Sequence, residues 1–221
     1  MPLGVIVVGT GMKDTTGHDA PVARALPTID TFGELWDLLK EDYAIHSTTR
    51  EITVLTPGFL ALAVYRCGVW LNGRPRLPRA ILRRVLAIPA YFIRNCFGIS
   101  LYSSATIGRR LKIANHSAII IHSRARIGDD CIIRQGVTIG FAGQRGLGNV
   151  PTLGNRVEVG AGAIIAGTVS IGDDVKIASN AVVMMNVPAG SVVAMPPPRI
   201  MAPPPRAAST EPATAARAGN A

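Results

Sequence analysis

From Leu101 onward, large aliphatic residues recur every sixth position. They fall at Leu101, Ile107 and Ile113, then after a two-residue offset at Ile121, Ile127, Ile133 and Ile139, then at Leu153, Val159, Ile165, Ile171, Ile177 and Val183. The residue after each is usually small, as at Gly108, Ala114, Gly128, Gly140, Gly154, Gly160, Ala166, Gly172 and Ala178. Four places on stands another small or β-branched residue, including Ala105, Ala125, Cys131, Val137, Val157, Ala163, Val169, Val175, Ala181 and Val187. This pattern predicts a three-sided coil: the aliphatic side chain fills the inside, the small residues let the chain turn its corners, and three hexapeptides complete one turn. Cys131 falls in the inward small column, which predicts a packed thiol rather than a reactive one.

Upstream the period changes. Phe32, Leu35, Trp36, Leu38 and Leu39, then Phe59, Leu60, Leu62, Ala63 and Trp70, then Ile81, Leu82, Val85 and Leu86 recur at helical spacing. Thr31 or Asp30 can cap the first helix, Pro57 suits the start of the second, and Gly73-Arg74-Pro75 punctuates before the third. The expected organisation is a weakly ordered segment over 1–30, a helical domain over 31–97 with its aromatic residues in the core, a β-helix over 98–195 and a Pro/Ala-rich tail over 196–221. Two irregular places, the offset between Ile113 and Ile121 and the loop Phe141–Thr152 with Gln144 and Arg145, are where a site is expected on so regular a scaffold.

Composition narrows the function. The 221 residues are 48% hydrophobic and only 5% aromatic, and carry a formal charge of +9. A basic chain suits nucleic acid, an anionic membrane surface or an anionic substrate such as coenzyme A, but no nucleic-acid module is present in the sequence. Cys67, Cys96 and Cys131 form no CxxC pair, so neither a disulfide framework nor a zinc site is indicated, and a reducing cytoplasm is the expected setting. The start, Met1 to Lys13, lacks the marks of a signal peptide. The apolar stretches 57–71 and 80–99 are interrupted by Arg66 and by Arg83, Arg84 and Arg94, which argues against membrane spans. The second is expected to pack on the β-helix mouth rather than on a membrane.

The run Gln135-Gly136-Val137-Thr138-Ile139-Gly140, then Pro151-Thr152-Leu153-Gly154 and Val159-Gly160-Ala161-Gly162-Ala163, resembles serine acetyltransferases and related acyltransferases of polysaccharide gene clusters. The helical stretch Pro57-Gly58-Phe59-Leu60-Ala61-Leu62, Tyr65-Arg66 and Trp70-Leu71 is similar to the helix before the β-helix in that family, so the resemblance spans roughly residues 45–200. It implies a mainly β fold, a left-handed parallel β-helix of hexapeptide repeats preceded by a small α-helical domain. It also implies homotrimers or dimers of trimers with active sites between neighbouring β-helices, acetyl-CoA as co-substrate without a metal, and a histidine as general base on an acceptor hydroxyl. A neutral imidazole is the side chain best poised to take that proton.

His116 is the candidate base. The family's histidine, however, stands two residues after the first aliphatic, where this chain has Asn115, so either the irregular turn re-aims His116 or Asn115 occupies the place of the base. His122 is expected at the surface or an interface. By resemblance, Gly160, Ala161, Gly162, Ala163, Ala178, Ser179 and Arg199 would meet coenzyme A, with Arg145 a further candidate for its phosphates; Met185 replaces a lysine often found in the family. Acidic and histidine positions of serine acetyltransferases hold Ala114 (or Asn115, if the histidines are matched), Ser100 and Val150 here. A serine ammonium needs a carboxylate partner, so the acceptor is expected to be a sugar hydroxyl rather than serine. The alternative is a catalytically silent scaffold that binds coenzyme A or a partner. A γ-type carbonic anhydrase would need three converging histidines, and the β-helix has only His116 and His122.

Overall fold

The computed structural model describes residues 6–8, 28–47, 56–141 and 150–196. Three helices come before the solenoid: α1 (Phe32–His46), α2 (Pro57–Asn72) and α3 (Arg76–Phe97). Thr31 starts α1 with a capping box: its hydroxyl accepts from the Glu34 N–H, and the Glu34 carboxylate accepts from the Thr31 N–H. Pro57 occupies the first turn of α2, where its missing N–H costs nothing. Gly98 ends α3 at φ 65, the left-handed conformation that glycine adopts without a Cβ clash.

The rest of the described chain winds into a parallel β-solenoid of about four turns. Each wall is one sheet. The first stacks β4 (Lys112–Ala114), β7 (Ile132–Arg134), β10 (Glu158–Val159), β13 (Lys176–Ile177) and β15 (Val192–Ala194). The second stacks β2 (Ile99–Leu101), β5 (Ile119–Ile121), β8 (Thr138–Gly140), β11 (Ile164–Ala166) and β14 (Val182–Val183). The third stacks β3 (Thr106–Ile107), β6 (Arg126–Ile127), β9 (Thr152–Leu153) and β12 (Ser170–Ile171). Strand β1 (Ile6–Val8), inside the segment expected to be weakly ordered, pairs antiparallel with β15 at the far edge of the first wall.

Register follows the hexads. Val159 stands beside Ile177, and Ile165 beside Val183, eighteen residues apart. Across the first irregular place the step is twenty, as in Ile113 beside Ile133, and across the second it is twenty-six, as in Ile127 beside Leu153. The inserted residues thus leave the walls unbroken. The inward ladder of Ile121, Ile127, Ile133, Ile139, Ile165 and Ile171 is fully buried, and each such side chain contributes roughly 1.5–3 kcal/mol on leaving water. Cys131 lies inside as expected, its thiol directed at the Gly154 carbonyl.

Corners are as regular as walls. A Cβ at Gly128 would stand 2.6 Å from the Gly154 carbonyl carbon in the next coil, so no larger residue fits without moving backbone. One step further, Asp129, Asn155 and Asp173 use a side-chain oxygen to accept the backbone N–H of Arg109, Asp129 and Asn155 in the coil before. Beyond them Arg110, Asp130, Arg156 and Asp174 all adopt positive φ, and pair Arg110 with Asp130 and Arg156 with Asp174. Alternating signs relieve the like-charge stacking that a repeat would otherwise impose.

The helices close the open end of the solenoid. The first coil has no preceding coil to satisfy its backbone, and side chains from α1 and α2 take that place. Tyr65 donates its hydroxyl to the Ala105 carbonyl and accepts the Ile107 N–H. Arg66 donates to the Ile107 and Gly108 carbonyls and to Asp42 at 2.9 Å, with both members of the ion pair fully buried. His46 accepts the Ile113 N–H through Nε2 and donates from Nδ1 to the Asp42 carbonyl. Burial holds the His46 pKa below the ordinary histidine range, against the opposing pull of Asp42.

The helical core is narrower than the pattern predicts. Leu35 and Leu38 are buried, but Phe32 and Trp36 are exposed. α3 packs on α2 and β2 through Leu86 and Ile93, whereas Ile81, Leu82 and Val85, expected to face the core, point to solvent. A helix with apolar residues on two sides can bury only the one that finds a neighbour. No helix among the described residues is long and apolar enough to cross a membrane.

Candidate active site

The corner joining the first wall to the second gathers the residues expected to carry chemistry. In successive coils it is formed by Asn115 to Ala118, by Gln135-Gly136, by Ala161-Gly162 and by Ser179-Asn180. Backbone bonds tie the coils directly: Gly136 N–H to the Ser117 carbonyl, Gly162 N–H to Gln135 and Asn180 N–H to Ala161, each at 2.8 Å. Of the residues expected to meet coenzyme A, Ala161, Gly162, Ala178 and Ser179 therefore lie along one column with His116 and Asn115 at its head, whereas Ala163 is fully buried in the solenoid core and Gly160 is buried against the backbone of the next coil. Arg199, and Gln144 and Arg145 of the loop, lie outside the described residues.

Two glycines stack at the middle of this column. Gly136 and Gly162 both adopt the left-handed conformation, φ 74 and φ 70, and a Cβ on Gly136 would come within 3.2 Å of the Gly162 Cα. The Asn180 side chain reaches over Gly162, so what remains is a shallow channel of backbone edged by the Asn115, Gln135 and Asn180 side chains, along which an extended arm such as pantetheine can lie. Ala161 and Gly162 are half-buried and Ser179 is exposed, so the channel opens to the outside.

At its head the twenty-residue coil bulges. Asn115 and Ala118 have φ 66 and φ 50, which breaks the in–out alternation of the strand at both ends of the bulge. Asn115 reaches along the column and donates to the Gln135 side-chain oxygen at 3.1 Å. His116 turns the other way. Its exposed ring stands edge-on to Phe97, the last residue of α3, with centroids 5.9 Å apart. The bulge thus sends the two candidates in different directions, with the imidazole on the open surface and the amide engaged. Gln135 and Phe97 were not singled out from the sequence, because their neighbours at this corner come from other coils and from a helix end.

His122 stands apart, at the other end of β5. Its Nδ1 accepts the Arg124 N–H at 3.2 Å and its ring lies 4.0 Å from that of Phe141, where the chain leaves for the loop. Cys131 is unsuited to nucleophilic work, since burial pushes its thiol up to about 12.

Comparison with known proteins converges on one family. The bacterial transferase hexapeptide (six repeats) family matches residues 151–184. The serine acetyltransferase of Helicobacter pylori is 40% identical over 163 residues, 74% of this chain and 91% of that protein. That of Mycobacterium tuberculosis is 36% identical over 156 residues, 70% of this chain and 65% of that one. Among solved structures, serine acetyltransferase 1 of Entamoeba histolytica superposes with a TM-score of 0.62 at 23% identity, over 74% of this chain and 64% of that chain. The Neisseria gonorrhoeae serine acetyltransferase in complex with serine gives 0.62 at 23%, over 77% and 70%. The structural likenesses establish the shared fold, and the chain covers somewhat less than two thirds of the Entamoeba protein. Given the near full-length match to the Helicobacter protein, the chain belongs to the serine acetyltransferase family of hexapeptide acyltransferases.

Proposed function

We propose that this chain is an acetyl-CoA-dependent O-acetyltransferase in which His116 is the general base. The observation that carries the reading is an exposed imidazole at the head of the corner column where Gly136 and Gly162 stack. The thioester arm lies along Gly136 and Gly162, with Ala161, Ala178 and Ser179 flanking it, and Arg199 is the candidate for the phosphates. His116 takes the proton of the acceptor hydroxyl as its oxygen attacks the thioester carbonyl, and returns it to the departing thiolate.

The working unit is a homotrimer built through the second wall. Its outward positions include Ile120, Ile164 and Val182, all exposed at 39% or more, and Met184 and Met185 continue them. The outward positions of the first wall, by contrast, include Lys112, Glu158 and Lys176. An apolar wall beside charged ones calls for a partner, and a second β-helix against it would close the channel. The acceptor is a sugar hydroxyl rather than serine, because Ala114 and Ser100 stand where the resemblance implies the carboxylates that a serine ammonium requires, and Val150 where it implies a histidine. Three free cysteines agree with a reducing cytoplasm, where acetyl-CoA is at hand.

The test is release of coenzyme A, followed by mass spectrometry, with L-serine and with a panel of sugars and sugar nucleotides. Turnover with a sugar that falls at least a hundredfold in His116→Ala supports the assignment. Turnover confined to serine overturns the acceptor, and unchanged turnover in His116→Ala overturns the base. Binding of acetyl-CoA with no turnover on any acceptor replaces the enzyme with a silent scaffold.

A further inference from the structure

α3 has a second apolar side that nothing in the acetyl-transfer reading uses. Leu77, Ile81, Val85, Ile88 and Phe92 follow one another at helical steps of three and four, so they form one stripe from the first turn to the last. All five are exposed, Leu77 at 77% and Ile88 at 73%. The same helix carries Arg76, Arg79, Arg83, Arg84 and Arg94 and neither Asp nor Glu. Arg79 and Arg83 bond to Asn72 at the end of α2. Among the described residues no carboxylate lies within ion-pair distance of any α3 arginine.

We propose that α3 is an interfacial anchor that lies in the surface of an anionic lipid bilayer, its Leu77–Phe92 stripe among the upper acyl chains and Arg84, at the edge of the stripe, on lipid headgroups. Two features select this occupant. A stripe running the whole length of a long helix suits a flat apolar phase, and the helix is too polar to pass through one. The charge favours lipid over a second copy: α3 carries five arginines and neither Asp nor Glu, and Arg84 flanks the stripe, so an anionic surface attracts what a second α3 would repel.

The experiment is co-sedimentation of the full-length chain with phosphatidylcholine vesicles, and with vesicles in which a third of the lipid is phosphatidylglycerol. The expected result is at least tenfold stronger partitioning into the anionic vesicles, weakened by high salt. Val85→Glu with Ile88→Glu should reduce it tenfold or more. Arg84→Gln should reduce it about fivefold, the loss of one basic contact with an anionic surface. All three positions are exposed, and an unchanged far-ultraviolet spectrum confirms that the variants fold. Failure to bind anionic vesicles overturns the proposal, as does equal binding by the double glutamate variant. A fall in the particle mass of that variant in light scattering, without loss of lipid binding, would assign the stripe to a subunit contact instead.

Discussion

His46 does its work only as a neutral ring. Its Nε2 must keep a lone pair for the Ile113 N–H, so protonation breaks the bond and places a cation in a buried site beside Lys112 as well as Asp42. Because its folded pKa is depressed, the unfolded chain binds the proton first as pH falls, and stability drops from about pH 6.5 downward toward the folded value. Urea midpoints at pH 7.5 and 5.5 should show a fall in the wild type, and the part due to this ring should vanish in His46→Ala. That variant should already have lost about 1–3 kcal/mol at pH 7.5 through the orphaned N–H. Arg66 is the harsher case. Arg66→Ala leaves Asp42 charged and buried and strands two carbonyls of the first coil, so a loss of about 3–5 kcal/mol is expected by the same denaturation measurement. The exposed pair Arg156 and Asp174 lies at the opposite extreme, and Asp174→Asn should leave the midpoint almost unmoved.

At the scale of elements, the corners limit what the solenoid tolerates. Gly128→Ala should cost about 1–3 kcal/mol in thermal or urea unfolding, because its Cβ meets backbone of the next coil, which cannot yield without shifting a strand. Insertions behave differently. The bulge over 115–118 and the loop after Phe141 add residues between walls whose register resumes afterwards, so the scaffold can vary a site there while each sheet stays paired. α1 and α2 act as a substitute coil: they offer Tyr65, Arg66 and His46 where a preceding strand would have offered carbonyls and N–H groups, and they block the end-to-end growth that an open parallel edge invites.

For the whole molecule, two surfaces remain to be covered, and they differ in kind. The second wall is flat, apolar and without arginine at Ile120, Ile164 and Val182, which suits another β-helix. Ile164→Arg should lower the mass in light scattering to that of the single chain and abolish acetyl transfer, while leaving the fold intact. The stripe on α3 is narrow and apolar on a helix whose charged residues are all arginine, which suits lipid. α3 packs on β2 of the second wall, so the readouts tell the two surfaces apart: Ile164→Arg acts on mass, and Val85→Glu with Ile88→Glu acts on lipid binding.

Sequence by itself determined the solenoid, because a period of six leaves no other way to bury a ladder of isoleucines while turning a corner at every glycine. It also determined the three helices, through Thr31, Pro57 and Gly73-Arg74-Pro75, since caps and breakers act over a few residues. Only the tertiary structure decided which helix faces were buried: Leu35 and Leu86 look no different in sequence from Trp36 and Val85, and burial depends on whether a neighbour arrives. It alone paired Asn115 with Gln135 and His116 with Phe97, because those contacts join different coils, and a helix end to a corner, across positive-φ residues that local pattern does not reveal. And it alone turned Asp42, His46, Tyr65 and Arg66 from ordinary helix residues into the cap of the first coil, since the need for a cap exists only once the coil has no strand before it.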